Sequence, residues 1–411
     1  MSNLEIFIHT ACAITVIIIA SRLTGSLMVR IKQPRVVGEM IAGVLLGPTL
    51  FSTVCPEISA YLFTSSLPNI YLLGNLGLSF YMFLVGMDID LGKLDKSIKK
   101  QAVVISAAAT IVPFAAGTFC AFIFFDKLCL PGTPITFFML FTGTAFSIMA
   151  FPMLARILDE KNLIRTRLGS LALLSSSIQD VVTWILLAFI IAMASTGNPQ
   201  NAVITLVGAL VFIMVTMFLA KPLLKKIGAK VQSKGNMNQD QFAIVCVFLL
   251  VAAIITDKVG LYSVFGGFIL GLAMPRDIIF QQEIKAKLQD FVVVFLLPLF
   301  FAFSGLKTNF LLLCSADLFI PSLVILLLAI AGKYLPVLFC MKAFGYNWKE
   351  ASAIGGLINA RGLMELIVAN IGLEYNIIDV NMYSILVLIA VITTLAAMPI
   401  YNRNMKNTII V

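Results

Sequence analysis

The chain has almost nothing with which to perform hydrolytic or redox chemistry. Its one histidine, His9, stands near the start, so neither a Ser-His-Asp triad nor a histidine-based metal centre is available. The seven cysteines (Cys12, Cys55, Cys120, Cys129, Cys246, Cys314, Cys340) are scattered and odd in number. They show no CxxC spacing, which argues against a disulfide framework and against a zinc site. No glycine-rich loop leads into a Lys-Ser or Lys-Thr pair, so nucleotide hydrolysis has no signature. We expect no cofactor and no enzymatic activity. Charge is scarce too: 12% of residues are charged and 60% are hydrophobic, a balance foreign to soluble domains. The formal net charge of +9 would suit nucleic acid, but the basic residues are spread through short loops between apolar runs. That distribution is a topology signal, and no nucleic-acid partner is expected.

What the chain has in abundance is long apolar runs. The first, Leu4 to Leu23, follows no basic region and precedes no Ala-x-Ala-like site. It is expected to be a retained helix, not a cleaved signal. Length and hydropathy predict an all-α polytopic membrane protein with about thirteen transmembrane helices. The loops alternate in charge. Arg30, Lys32 and Arg35, then Lys93, Lys96, Lys99 and Lys100, then Lys161 and Arg165, the lysines from Lys221 to Lys234, and Arg403 with Lys406 fall on one side. Lys127, Lys258 and Lys307 fall on the other. By the positive-inside rule the N-terminus lies outside and the C-terminus is cytoplasmic, in a cell membrane, most simply a bacterial inner membrane. Residues 1–411 are expected to form a single transmembrane unit surrounded by membrane lipid, with no C-terminal nucleotide-binding domain.

Two stretches repeat. Val37-Gly38-Glu39-Met40-Ile41-Ala42-Gly43 can be laid over Phe265-Gly266-Gly267-Phe268-Ile269-Leu270-Gly271, each with a Gly-x4-Gly spacing and a proline soon after. Gly86-Met87-Asp88 likewise matches Gly305-Leu306-Lys307 at a similar offset. An odd number of segments separates the copies, so matched helices point in opposite directions. This predicts an inverted repeat, an architecture of secondary transporters. Repeat one covers about 1–194, a linker helix about 200–228, and repeat two about 239–402. In that alignment Thr142-Gly143-Thr144 and Gly355-Gly356 through Arg361-Gly362 interrupt corresponding segments. Such breaks point to a midplane site where unwound backbone faces an ion or a charge.

Few ionisable residues remain inside the apolar runs: Glu39, Asp180, Lys333, Arg361 and Glu365. Asp180 lies about 18 Å into the run from Leu168 to Ala194, near the bilayer midplane. A carboxylate there costs several kcal/mol, roughly 2.5 or more, so a binding role is expected. Gln179, Ser176, Thr142 and Thr144 would add oxygen atoms for a partly dehydrated alkali cation at Asp180. Lys333 is a candidate partner of Asp180 when no cation is bound. Arg361 and Glu365, four apart on one helix face, are expected to pair and to compensate broken-helix dipoles. Glu39 is a candidate for an access path or a subunit interface.

These pieces together resemble the monovalent cation:proton antiporter-2 family of the sodium/hydrogen exchanger superfamily. The chain is similar to Kef-type membrane domains and plant cation/H+ exchangers. The resemblance rests on Val37 through Pro48, Thr142 to Pro152, Gln179-Asp180, Gly266 to Pro275, Leu297 to Lys307, and Asn359 to Leu366. It implies a homodimer whose protomers each have a scaffold domain and a moving core with two crossed discontinuous helices. It puts the family's ion-binding aspartate on Asp180. Sodium-selective electrogenic relatives carry two adjacent aspartates, whereas Gln179 stands first here, as in Kef-type potassium systems.

The function expected is monovalent cation/proton antiport by elevator-type alternating access, K+ favoured over Na+, with cation and proton competing at Asp180. Two other functions suit such a chain. One is ion-coupled symport of an organic anion on a related fold, with Gln179, Arg361 and Lys333 as donors. The other is a channel-like K+ efflux pathway.

Overall fold

A backbone in hydrocarbon must satisfy its polar groups internally, and helices do so within one segment. The computed structural model obeys this: helices dominate its described residues, 2–88, 96–160, 163, 166–196, 199–259 and 263–405. The loop residues Lys93, Lys161, Arg165 and Lys406 lie outside that set. Among the described residues there is no strand, only an isolated bridge between Cys129 and Ile378.

In chain order, α1 (Asn3–Arg30) is followed by α2 (Arg35–Leu46), the short α3 (Phe51–Val54) and α4 (Pro56–Phe63), then α5 (Leu67–Asp88). Next come α6 (Lys96–Ile123), α7 (Phe125–Leu128), α8 (Ile135–Ser147), α9 (Phe151–Glu160) and α10 (Arg167–Thr196). Then α11 (Pro199–Val215) continues through a π turn, Thr216–Ala220, into α12 (Lys221–Lys234). After α13 (Gln239–Lys258) and α14 (Ser263–Ala273), α15 (Ile278–Phe291) runs through a second π turn, Val292–Leu296, into α16 (Leu297–Leu306). The chain ends with α17 (Ala316–Ala343), α18 (Trp348–Ile358), α19 (Leu363–Glu374) and α20 (Val380–Met405).

Ten helical stretches among the described residues are long and apolar enough to cross a membrane. The difference from the expected thirteen lies in shorter pieces: α8 and α14 are apolar but brief, and α18 and α19 are halves separated by a break. Both π turns have a proline two residues beyond them, Pro222 and Pro298. A proline ring crowds the carbonyl four residues back, and a widened turn relieves that contact.

The chain forms two compact units. The first comprises Met1–Ile19, Glu57–Asp90 and Ile191–Phe303. Within it Gly86 on α5 meets the backbone of Gly271 and Phe268 on α14, where a side chain would overlap main-chain atoms. The second comprises Ala20–Pro56, Leu91–Ile190 and Ser304–Val411. Within it Gly305 presses on the backbone of Gly43 and Val44 in α2, and Gly47 on that of Gly305. Small residues allow such close approach between membrane helices. This second unit holds every ionisable side chain singled out from the sequence: Glu39, Asp180, Lys333, Arg361 and Glu365, each at most 1% exposed.

Candidate ion-binding site

Two interrupted helices frame the site. α8 stops at Ser147, Ile148 is extended (φ −57°, ψ 142°), and α9 begins at Phe151. Pro152, second in α9, suits a helix start because its missing N–H is not needed there. The other interruption runs from Asn359 to Gly362 between α18 and α19. Gly362 has φ +65° and ψ −126°, a conformation that favours glycine.

A helix that ends inside the protein leaves carbonyls without partners and a partial negative charge. Three side chains from other elements answer the end of α8. Arg361 Nη1 donates to the Ala145 carbonyl at 3.3 Å. Gln179 Nε2 donates to the Ser147 carbonyl at 2.7 Å. Lys333 Nζ donates to the same Ser147 carbonyl at 2.8 Å and also to that of Ile148. Arg361 further donates to the Ala329 carbonyl of α17 at 2.9 Å and lies over the Phe146 ring. The expected Lys333–Asp180 pair therefore takes another form. Lys333 bonds to backbone carbonyls and acts on Asp180 through space.

Gln179 is fixed in one orientation. Its second donation from Nε2 goes to the Ala109 carbonyl at 2.6 Å. With both amide hydrogens used, Oε1 is left as a buried acceptor with no hydrogen bond. Asp180 is 0% exposed, and neither carboxylate oxygen makes a hydrogen bond of ordinary geometry. Besides Lys333, the Phe151 amide at the start of α9 interacts with it. Thr142 Oγ1, Thr144 Oγ1, Thr183 Oγ1 and Asn359 Oδ1 are likewise buried without hydrogen bonds.

Ser176 differs. Its hydroxyl donates to the Ala172 carbonyl at 2.9 Å within α10, so only oxygen lone pairs remain for a ligand. Ser175 and Ser177 bond back into α10 in the same way. Arg361 and Glu365 pair across 3.6 Å, both fully buried. Glu39 is buried in α2 between Gly38 and Gly43.

Sequence reasoning missed Asn359 as a site residue, although it stands at the predicted break. It also missed a buried network in which Asn370 Nδ2 donates to Ser304 Oγ at 2.7 Å and the Tyr383 hydroxyl donates to the Ser304 carbonyl at 2.7 Å. An asparagine and a tyrosine inside apolar runs were the available signals. Buried polar atoms without hydrogen bonds are costly, about 1–3 kcal/mol each. Buried hard oxygen atoms without hydrogen bonds, a carboxylate among them, are suited to receive a cation or a proton.

The transmembrane sodium/hydrogen exchanger family model matches residues 14–400. The Na(+)/H(+) antiporter NhaS4 of Synechocystis is 38% identical over 94% of this chain and 95% of its own length. Cation/H(+) antiporter 18 of Arabidopsis thaliana is 34% identical over 94% of this chain and 48% of its own length. The K(+)/H(+) antiporter 1 of Saccharomyces cerevisiae is 31% identical over 97% and 46%. The chain thus spans about half the length of these two eukaryotic relatives. The solved structure of the sodium proton antiporter MjNhaP1 from Methanocaldococcus jannaschii superposes with a TM-score of 0.66. It has 17% identity and covers 98% of this chain and 97% of that one, a likeness of fold.

Proposed function

Since the chain belongs to the transmembrane sodium/hydrogen exchanger family, we propose that it is a multi-pass cation/proton antiporter in which Asp180 takes a cation and a proton in turn. The observation that carries this reading is the fully buried Asp180 carboxylate, held by no side-chain hydrogen bond, with Gln179 Oε1 of the preceding residue left as a buried acceptor. Thr142, Thr144 and Asn359 supply further oxygen atoms, and Ser176 a lone pair. Leaving aside Glu39 on α2, the buried charges Asp180, Glu365, Lys333 and Arg361 balance when all are ionised. A bound alkali cation and a proton on Asp180 each add one positive charge, so exchanging one for the other leaves the site's charge unchanged. That arithmetic favours one-for-one, electroneutral exchange. If Lys333 sheds a proton when the cation binds, the cycle becomes electrogenic.

Gln179 in place of a second carboxylate favours K+ over Na+: one negative charge pulls less strongly on a small, tightly hydrated ion. The relatives named above include both sodium and potassium antiporters, so the chain's own residues must decide. The reciprocal glycine contacts support the inverted repeat: Gly43 meets Gly305, the counterpart of Gly86, and Gly271, the counterpart of Gly43, meets Gly86. On this basis the broken helices move as part of a rigid core, in an elevator-type cycle within a homodimer. The N-terminus faces outward and the C-terminus the cytoplasm of a bacterial cell.

The test uses reconstituted vesicles loaded with a pH-sensitive dye. Potassium, sodium and rubidium are added in turn, with the membrane potential clamped and unclamped. Proton flux is expected with each active cation, largest for potassium, and Asp180→Asn is expected to abolish it. No flux with any alkali cation refutes antiport. Full flux in Asp180→Asn removes the carboxylate from the mechanism. Stabilisation by organic anions alone would favour symport of an organic anion.

A further inference from the structure

A groove in the first unit takes no part in the ion site. It lies where α11, its π turn and the start of α12 face α13 and α14, and encloses about 430 Å3. Phe212, Thr216 and Leu223 line one wall, and Phe248, Ile255 and Leu270 line the other. Thr216 is the one polar side chain among the lining residues. Water finds few partners in such a space, and a hydrocarbon chain fits it.

The same helix face leads out of the groove into charge. From Leu223, steps of three, seven and eleven residues reach Lys226, Lys230 and Lys234, all exposed. α12 contains no acidic residue, and none of its lysines forms an ion pair among the described residues. The carboxylate of Asp277 faces Gly228, on the opposite side of α12 from these three lysines. The lysines of α15 behave differently: Lys285 pairs with Asp88 and Lys287 with Glu283.

We propose that this groove binds one anionic phospholipid, its acyl chain lying between α11 and α13 and its phosphate meeting Lys226 and Lys230. The two halves of the ligand are matched in order along one helix face, an apolar slot followed by unneutralised ammonium groups. A zwitterionic lipid fills the slot equally well but brings its own ammonium towards the lysines. Free phosphate uses the lysines and leaves the slot unexplained. Basic clusters beside membrane helices attract anionic headgroups, and each lysine contributes roughly a fivefold factor near the surface.

The test is native mass spectrometry of the intact protein in micelles, with phosphatidylglycerol or phosphatidylcholine of identical chains. Thermal unfolding without added lipid serves as the fold check. The protein is expected to retain phosphatidylglycerol preferentially. The triple variant Lys226→Gln, Lys230→Gln, Lys234→Gln should lower that preference by roughly fivefold per lysine. Lys221→Gln with Lys225→Gln, on the opposite face, should leave it intact. Ala220→Phe, which fills the slot, should weaken retention of both lipids. Equal retention of the two lipids by the unaltered protein overturns the proposal. So does an equal loss from both lysine sets, or stabilisation by inorganic phosphate that matches phosphatidylglycerol.

Discussion

At the scale of single residues, the buried charges Asp180, Lys333, Arg361 and Glu365 are interdependent. Arg361 is the group that faces Glu365, and it also serves the Ala145 and Ala329 carbonyls. Arg361→Ala is therefore expected to destabilise the protein by about 3–5 kcal/mol, as when one partner of a buried pair is removed. Adding Glu365→Gln should recover part of that loss, because the stranded carboxylate is then neutral. Thermal unfolding of both single variants and the double variant measures the coupling. The charged residues themselves were legible in the sequence, because a charge inside an apolar run stands out, and the four-residue spacing of Arg361 and Glu365 announced their pairing. The partners of Lys333 were not legible. Lys333 and Asp180 are opposite charges, and charge alone suggests that they pair. The bonding of Lys333 to Ser147 and Ile148 depends on where α8 ends in space, which no residue type announces. Asn359 is hard to single out for a related reason: a neutral amide within a helix break looks like part of the turn.

At the scale of elements, close helix contact and helix starts carry the testable content. Gly305→Val places a branched side chain against the backbone of Gly43 and Val44. Overpacking of that kind typically costs about 1–3 kcal/mol, more where backbone must move. The expected outcome is a lower unfolding temperature and reduced yield, measured in detergent. Asp379, just before α20, accepts from the Met382 N–H at 2.7 Å and from Asn381 Nδ2. Burial raises its carboxyl above the ordinary carboxylate range, and these hydrogen bonds oppose the rise. The folded chain then holds this proton more tightly than the unfolded chain. Its contribution to stability is full below the ordinary carboxylate range and is lost as pH rises through the raised value. Asp379→Asn should flatten that part of a plot of unfolding temperature against pH. Helix positions were readable from apolar runs, and both breaks from small and hydroxyl-bearing residues. The π turns were not predicted. Prolines marked where strain would fall but not that a widened turn would absorb it.

At the scale of the whole molecule, each compact unit draws on both halves of the chain. The first unit needs residues from before position 90 and after 191, and the second needs residues from before 190 and after 304. A chain cut between α12 and α13, at the loop containing Gly235, is expected to regain function only when both fragments are made together. Copurification of the fragments and dye-monitored exchange in vesicles would check this, and either fragment active alone would count against it. The proposed repeat rests, in the sequence, on two short glycine patterns. The contacts of Gly43 with Gly305 and of Gly86 with Gly271 were not legible there, since adjacency between residues so far apart in the chain is a property of the fold. Those contacts bear on ancestry. On the proposed inverted repeat, a half-length precursor would have carried the glycine surface of one repeat and lacked its counterpart, which a second, oppositely inserted copy would provide. Such a precursor would have had to enter the membrane both ways round. Fusion of two genes would then have frozen one copy in each orientation, freeing each copy's loops to acquire its own charge bias.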